Sequence, residues 1–328
     1  MILITYLNLY CIEKRGRKMD YKAITAYDEY VVIEGVKNFK LKQTFECGQC
    51  FRFEKISDYN YITVAFERVI ELKEDGDNII IYNSNENEVK EIWIKYFDLE
   101  REYSSIKDEL SKDDLLRKSV EFGSGIRILN QDPFEILISF IISARNSIPS
   151  IMKTINKIST KWGTQILYKE KTYYAFPTIE QIKDATLEEI QETGASFRSK
   201  YIIDTIANIH KSKGALKSGD AVKIEELKKY DLDYIKSLND DECHTALQEF
   251  KGVGAKVADC IMLFSMEKYS AFPVDVWVKR AMVYFYGAED ASLNKIRIFA
   301  RNKFGELSGF AQQYLFYYAR ENKIKIED

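Results

Sequence analysis

The chain is poor in the residues that metal and disulfide chemistry need. Of 328 residues, 2 are histidine and 5 are cysteine. Cys11, Cys47, Cys50, Cys243 and Cys260 are odd in number and scattered, which fits free thiols in a reducing compartment. Cys47-x-x-Cys50 is at most half a zinc site or a redox pair, because no second pair, histidine cluster or thioredoxin-like unit completes it. The C-terminal part lacks four-cysteine iron–sulfur spacing. No metal site is therefore expected. Positive charge is not in excess either: 48 Lys and Arg stand against 51 Asp and Glu, a net charge of -3. That excludes a protein that holds nucleic acid by bulk charge, although a local basic face is still allowed. No apolar run reaches membrane-spanning length. Repeats and low-complexity segments are missing. What is present is 46% hydrophobic and 30% charged residues, the balance of a globular cytoplasmic chain long enough for two domains.

Residues 1–18 join an apolar, Tyr-rich start to the run Lys14-Arg15-Gly16-Arg17-Lys18. A signal peptide has the reverse polarity, so a disordered extension is expected, and the sequence leaves open whether Met1 or Met19 is the start. Residues 19–128 are expected to be an antiparallel β-sheet domain. Its strands read at 30–33, 39–41, 50–53, 61–66 and 79–82, short and rich in β-branched and aromatic residues. Helical spacing follows at 89–97 and 111–122. Residues 129–328 are expected to be helical, with segments at 134–145, 150–162, 178–185, 187–193, 200–213, 224–236, 276–286, 293–304 and 308–322. The fold class is α+β, divided near Gly123-Ser124-Gly125.

The chemistry centres on residues 249–280. Gly252-Val253-Gly254 separates two segments of helical spacing, so a tight helical hairpin is expected. Its amides and the following helix N-terminus would bind a phosphate. Five basic residues (Lys251, Lys256, Lys268, Lys279, Arg280) against three acidic ones (Asp259, Glu267, Asp275) reverse the local sign. Lys256 falls in the first turn after the hairpin, where the helix dipole and burial would lower its pKa and free it as a nucleophile. Cys260 lies one turn on, on the same face. Asp275 follows Pro273-Val274 and reads as an N-cap that can also stabilise a developing positive charge. An amine beside a carboxylate at a phosphate-binding hairpin points to Schiff-base chemistry on a sugar carbon. An ordinary helix–turn–helix packing unit is the plain alternative.

These residues resemble the helix-hairpin-helix DNA glycosylase superfamily, and within it the 8-oxoguanine DNA glycosylase/AP lyases. The run Gly252-Val253-Gly254-Ala255-Lys256-Val257-Ala258-Asp259-Cys260-Ile261 carries the likeness, with Pro273-Val274-Asp275 ending 19 residues beyond the lysine. Gly48-Gln49-Cys50-Phe51-Arg52, Tyr96-Phe97-Asp98-Leu99, Gln131-Asp132-Pro133 and Gly309-Phe310-Ala311-Gln312 extend it along the chain. The resemblance implies excision of 8-oxoguanine from double-stranded DNA, by a monomer, through a flipped base. Lys256 would attack C1′ and Asp275 would stabilise the sugar cation. The Gly48 carbonyl would accept from the N7 hydrogen of the oxidised base, Gln312 would read its Watson–Crick edge, and Phe316 and Cys260 would sandwich it. Phe197 and Arg198 would wedge the duplex and contact the estranged base. A loosely held monovalent cation among the hairpin carbonyls is also implied, and no other cofactor.

Three departures bear on DNA contact. Lys251 replaces the hairpin proline and would add a phosphate contact. Trp277 replaces a phosphate-binding histidine. Arg145, beside Asn146, and Ser150 stand where members strict for cytosine carry asparagine and arginine, so relaxed opposite-base selectivity is expected. Two readings remain beside the main one: a glycosylase/lyase of this superfamily for another damaged base, and a non-catalytic DNA-structure-binding module.

Overall fold

Apolar residues alternate with half-exposed ones along Tyr30–Glu34 (β2) and Asn78–Tyr82 (β6), so each strand buries one face. Val31 pairs with Ile81 and Ile33 with Ile79, and all four are buried. These strands sit within a six-stranded antiparallel sheet with Ala23–Ala26 (β1), Phe53–Ser57 (β3), Asn60–Ala65 (β4) and Arg68–Asp75 (β5), in the order β1-β2-β6-β5-β4-β3. The computed structural model describes residues 18–288 and 291–324. The expected N-terminal extension lies, through residue 17, outside the described residues, as does Cys11. Among the described residues no helix is long and apolar enough to cross a membrane.

Three expectations for the first half need correction. The strand expected at 50–53 begins only at Phe53, and Cys50, Phe51 and Arg52 lie outside it. Phe39-Lys40-Leu41 does not form a strand. Lys40 precedes a short helix, Leu41–Glu46 (α1), which buries Leu41, Thr44 and Phe45 at helical spacing. The strand expected at 61–66 ends at Ala65, because Phe66 and Glu67 (φ 50° and 59°) make a two-residue turn into β5. Such a turn usually carries Asn-Gly, and a Phe-Glu pair gives no sequence signal.

The second half is helical as expected, apart from the short strands Gln165–Tyr168 (β7) and Lys171–Tyr174 (β8). That hairpin is strapped to the large sheet at Glu71, which accepts from the Tyr168 hydroxyl at 2.8 Å and from Lys169 Nζ at 2.6 Å. The segment expected as one helix at 224–236 is two, because Asp231 caps a new start by accepting from the amides of Asp233 and Tyr234. Pro133–Ser143 (α2) is the central helix. Pro133 opens it, Asp132 caps it, and residues 136–142 are all buried.

The helical core also takes in Tyr103–Leu110 and Asp114–Phe122, N-terminal to the Gly123-Ser124-Gly125 division. Arg127 ties the end of the first part back to its earlier segments. It is fully buried and donates to Asp20 and to the Phe97 carbonyl, both at 2.7 Å, and to the carbonyls of Asp98 and Arg101. A buried guanidinium is tolerated when its donors are matched in this way.

Candidate active site

Asp240–Leu247 (α3) and Ala255–Ser265 (α4) form the expected helical hairpin. The Val253 amide donates to the Phe250 carbonyl at 3.0 Å and closes the turn, and Val253 is buried as its anchor. Gly252 has φ 86°, and a methyl group on it would stand 2.6 Å from Tyr201 Cδ2. Glycine is therefore required there on two counts. Gly254 is the N-cap of α4 and faces open space, which leaves the helix start free for an approaching anion. Lys251 is exposed and paired with Asp204 at 2.5 Å.

Lys256 lies in the first turn of α4, half-buried, with Nζ 5.5 Å from the centre of the Phe140 ring. Burial pushes its pKa down, but the neighbouring Cys260 and the Asp275 carboxylate outweigh burial, and the net direction is up. The lowered lysine pKa expected from sequence is thus corrected, because the position in the helix did not reveal what stands beside the amine. Cys260 is buried, and burial pushes its thiol up to about 11. Asp275 caps Val276–Tyr286 (α5), with Oδ1 accepting from the amides of Trp277 at 2.9 Å and Val278 at 2.8 Å. Burial raises its carboxyl pKa against the pull of those amides and of Lys256. Lysine, thiol and carboxylate therefore act on one another electrostatically.

The floor of α4 is clamped from behind. Arg297 grips the fully buried Asp259 through two bonds of 2.6 and 2.8 Å. This bidentate pair fixes the helix one turn beyond Lys256.

The Gly48 turn is built from the other end of the chain. Gly48 has φ 85°. On one side Gln49 is buried. Its amide donates to the carbonyls of Thr44 and Arg127, at 2.8 and 2.7 Å, and its oxygen accepts from the Leu129 amide at 2.8 Å. On the other side the Cys47 carbonyl accepts from Gln313 of the closing helix, Ser308–Glu321 (α6). A methyl group on Gly48 would stand 3.1 Å from Phe316 Cε1, so the α6 ring lies directly over the turn. Gln312, one residue before Gln313, is 4% exposed, and its Oε1 has no hydrogen-bond partner. A buried acceptor left unmatched costs stability and is characteristic of a site that awaits a donor. Cys47 and Cys50 are buried free thiols, and no metal-holding group of His, Cys, Asp and Glu occurs among the described residues.

The expected wedge is split by burial. Phe197 is 52% exposed. Arg198 is 5% exposed, with its guanidinium spent on the protein. Its Nε donates to the Ala144 carbonyl at 2.8 Å, Nη2 donates to the Arg145 carbonyl at 3.0 Å, and the guanidinium lies 4.4 Å from the Phe197 ring. Arg198 therefore holds the loop that presents Arg145, itself exposed with φ 53°. Asn146 is tied to the Ile142 carbonyl at 3.2 Å.

The sequence signature of this site extends over both halves. Residues 31–137 match the model of the 8-oxoguanine DNA glycosylase N-terminal domain, and residues 138–306 match that of the HhH-GPD superfamily of base excision DNA repair proteins. The chain belongs to the 8-oxoguanine DNA glycosylase/AP lyase family. It is 30% identical over 234 residues to a probable N-glycosylase/DNA lyase of Methanothermobacter thermautotrophicus, covering 70% of this chain and 72% of that protein. It is 28% identical to the N-glycosylase/DNA lyase of Saccharomyces cerevisiae, covering 84% and 82%. The crystal structure of the Clostridium acetobutylicum 8-oxoguanine glycosylase/lyase, with double-stranded DNA containing cytosine opposite 8-oxoG, superposes with TM-score 0.85 at 55% identity, covering 93% of this chain and all of that one.

Sequence reading missed four residues that shape the family site. Phe140 lies beneath the lysine and reads from sequence as plain core. Tyr201 buttresses Gly252, Gln313 fixes Cys47, and Arg320 stands beside Gly48. A polar residue in an apolar helix, as at Gln313, was the one available signal.

Proposed function

We propose that this chain is a bifunctional 8-oxoguanine DNA glycosylase/AP lyase acting on double-stranded DNA. The observation that carries the reading is the electrostatic coupling of Lys256, at the start of one helix, with Asp275, at the start of the next, and with Cys260 beside the lysine. The hairpin amides at 252–254 would grip a phosphate while Phe197 fills the space left by the flipped base. Gln312 Oε1 would gain its missing donor from the base edge, and the Gly48 carbonyl would accept the N7 hydrogen that guanine lacks. A site built around such a donor rejects the base without it.

The chemistry runs in two parts. After losing its extra proton, the Lys256 amine bonds to C1′, and the C1′–N9 bond breaks with its electron pair going to the base. Asp275 would offset the positive charge that builds on the sugar. Ring opening gives a Schiff base, and loss of the C2′ proton expels the 3′ phosphate. A loosely held monovalent cation would sit among the hairpin carbonyls. Such an ion would stiffen the hairpin, and no step runs through it. Ser150, short and exposed, and the inward-turned Arg198 leave little to select the opposite base, which supports relaxed selectivity. The enzyme would work in the cytoplasm, on nucleoid DNA in a bacterium.

The test is product analysis on matched duplexes. Free 8-oxoguanine and a nick 3′ to the lesion are expected from the damaged duplex and not from its guanine counterpart. Binding without base release, or release of other damaged bases alone, contradicts the reading.

A further inference from the structure

Arg320, one turn beyond Phe316 on α6, takes no part in the sequence signature, yet it stands at the meeting point of the site. A methyl group on Gly48 would be 3.4 Å from its Nη1, and its guanidinium lies 5.2 Å from the centre of the Phe316 ring. Nη2 donates to the Glu46 carbonyl and Nε pairs with Glu321 at 3.0 Å. Those bonds fix the side chain, and Nη1 has no hydrogen-bond partner among the described residues. Its positive charge is felt by both Asp275 and Cys47. It is thus a cation that acts on the carboxylate that would serve the sugar and stands against the turn that would serve the base.

We propose that Arg320 is a substrate-contacting residue that stabilises the departing base as an anion. The inference rests on the functional reading above. When the Lys256 nitrogen bonds to C1′, the C1′–N9 pair leaves with the purine. The negative charge spreads over the purine ring and its oxygen atoms. A fixed cationic donor beside the turn that would hold the oxidised edge lowers the energy of that charge. The proton released from the lysine nitrogen then neutralises the base, so charge balances without another reactant. Asp275 and Arg320 would act on opposite partners of the same breaking bond.

Cleavage of a duplex that already holds an abasic site involves no departing base, so the two activities can be read against each other. In single-turnover assays, Arg320→Met keeps the stem against Phe316 and removes the charge. The ratio of 8-oxoguanine release to abasic cleavage is expected to fall about tenfold to a hundredfold. Arg320→Lys should restore much of that ratio. An unchanged ratio in Arg320→Met, or equal loss of both activities with no recovery in Arg320→Lys, overturns the proposal. Wild-type protein that cleaves the abasic duplex and releases no base would sink the functional reading and this inference with it. Normal wild-type release with an unchanged variant ratio sinks only the role of Arg320.

Discussion

The side-chain amide of Gln313 donates to the Cys47 carbonyl at 2.9 Å, joining positions 266 residues apart. It ties the closing helix to the turn that carries Gly48, so this buried bond, with that of Arg320 to the Glu46 carbonyl, holds the two parts of the base reader in register. Replacing the donor leaves a buried carbonyl unmatched, at a cost of about 1–3 kcal/mol. Gln313→Leu should therefore lower the urea midpoint by a corresponding amount. Base release should also slow more than abasic cleavage does, because only the first needs the register.

Asp275 combines a cap with a charge, and the two can be separated. Asparagine is as good an N-cap as aspartate, so Asp275→Asn should keep the thermal midpoint close to that of the wild type. Base excision should fall about a hundredfold or more, since the carboxylate opposite the developing sugar cation is gone. A large drop in midpoint would mean that the residue serves the helix first.

The direction of the Lys256 shift sets a pH dependence. The attacking form is the neutral amine. A pKa above the usual lysine value leaves less than about one amine in a thousand free at pH 7, and that fraction grows about tenfold per pH unit. Single-turnover excision should therefore rise with pH between 7 and 9. On the acid side, the raised Asp275 carboxyl loses its charge at a higher pH than an ordinary aspartate, and the rate should fall there as well. A flat profile from pH 6 to 9 would show that the lysine is already neutral in the resting enzyme.

The elements legible in the sequence were those with strong periodicity or a cap. Val276–Tyr286 and Leu293–Phe304 fall where their apolar spacing placed them, behind Asp275 and Ser292 as caps. The hairpin glycines and Lys256 were legible because turn and chemistry share one short stretch. Three kinds of feature were hidden. The Phe66-Glu67 turn has no glycine or asparagine to betray it. The pKa of Lys256 depends on neighbours that only the fold brings together. Arg198 looked like a surface arginine, and only tertiary structure shows its guanidinium spent on the Ala144 and Arg145 carbonyls.

That use of Arg198 bears on the partner strand. With its donors committed and Ser150 too short to reach far, the surface beside Phe197 offers the opposite base few fixed polar groups. Excision of 8-oxoguanine opposite cytosine and opposite adenine should agree within about tenfold, since each good bidentate contact is worth about 1–3 kcal/mol of discrimination. A preference for cytosine of about a hundredfold or more would mean that another contact, with Arg145 as the first candidate, reads the strand.

The central claim is that Lys256 becomes covalently joined to the sugar. The most direct measurement is reduction with borohydride during reaction with a duplex containing 8-oxoguanine, followed by denaturing electrophoresis and peptide mapping. The account predicts a protein–DNA adduct carried by Lys256 and no adduct from Lys256→Gln, although that variant still binds the duplex. No adduct from the native protein, or an equal yield from Lys256→Gln, would contradict it.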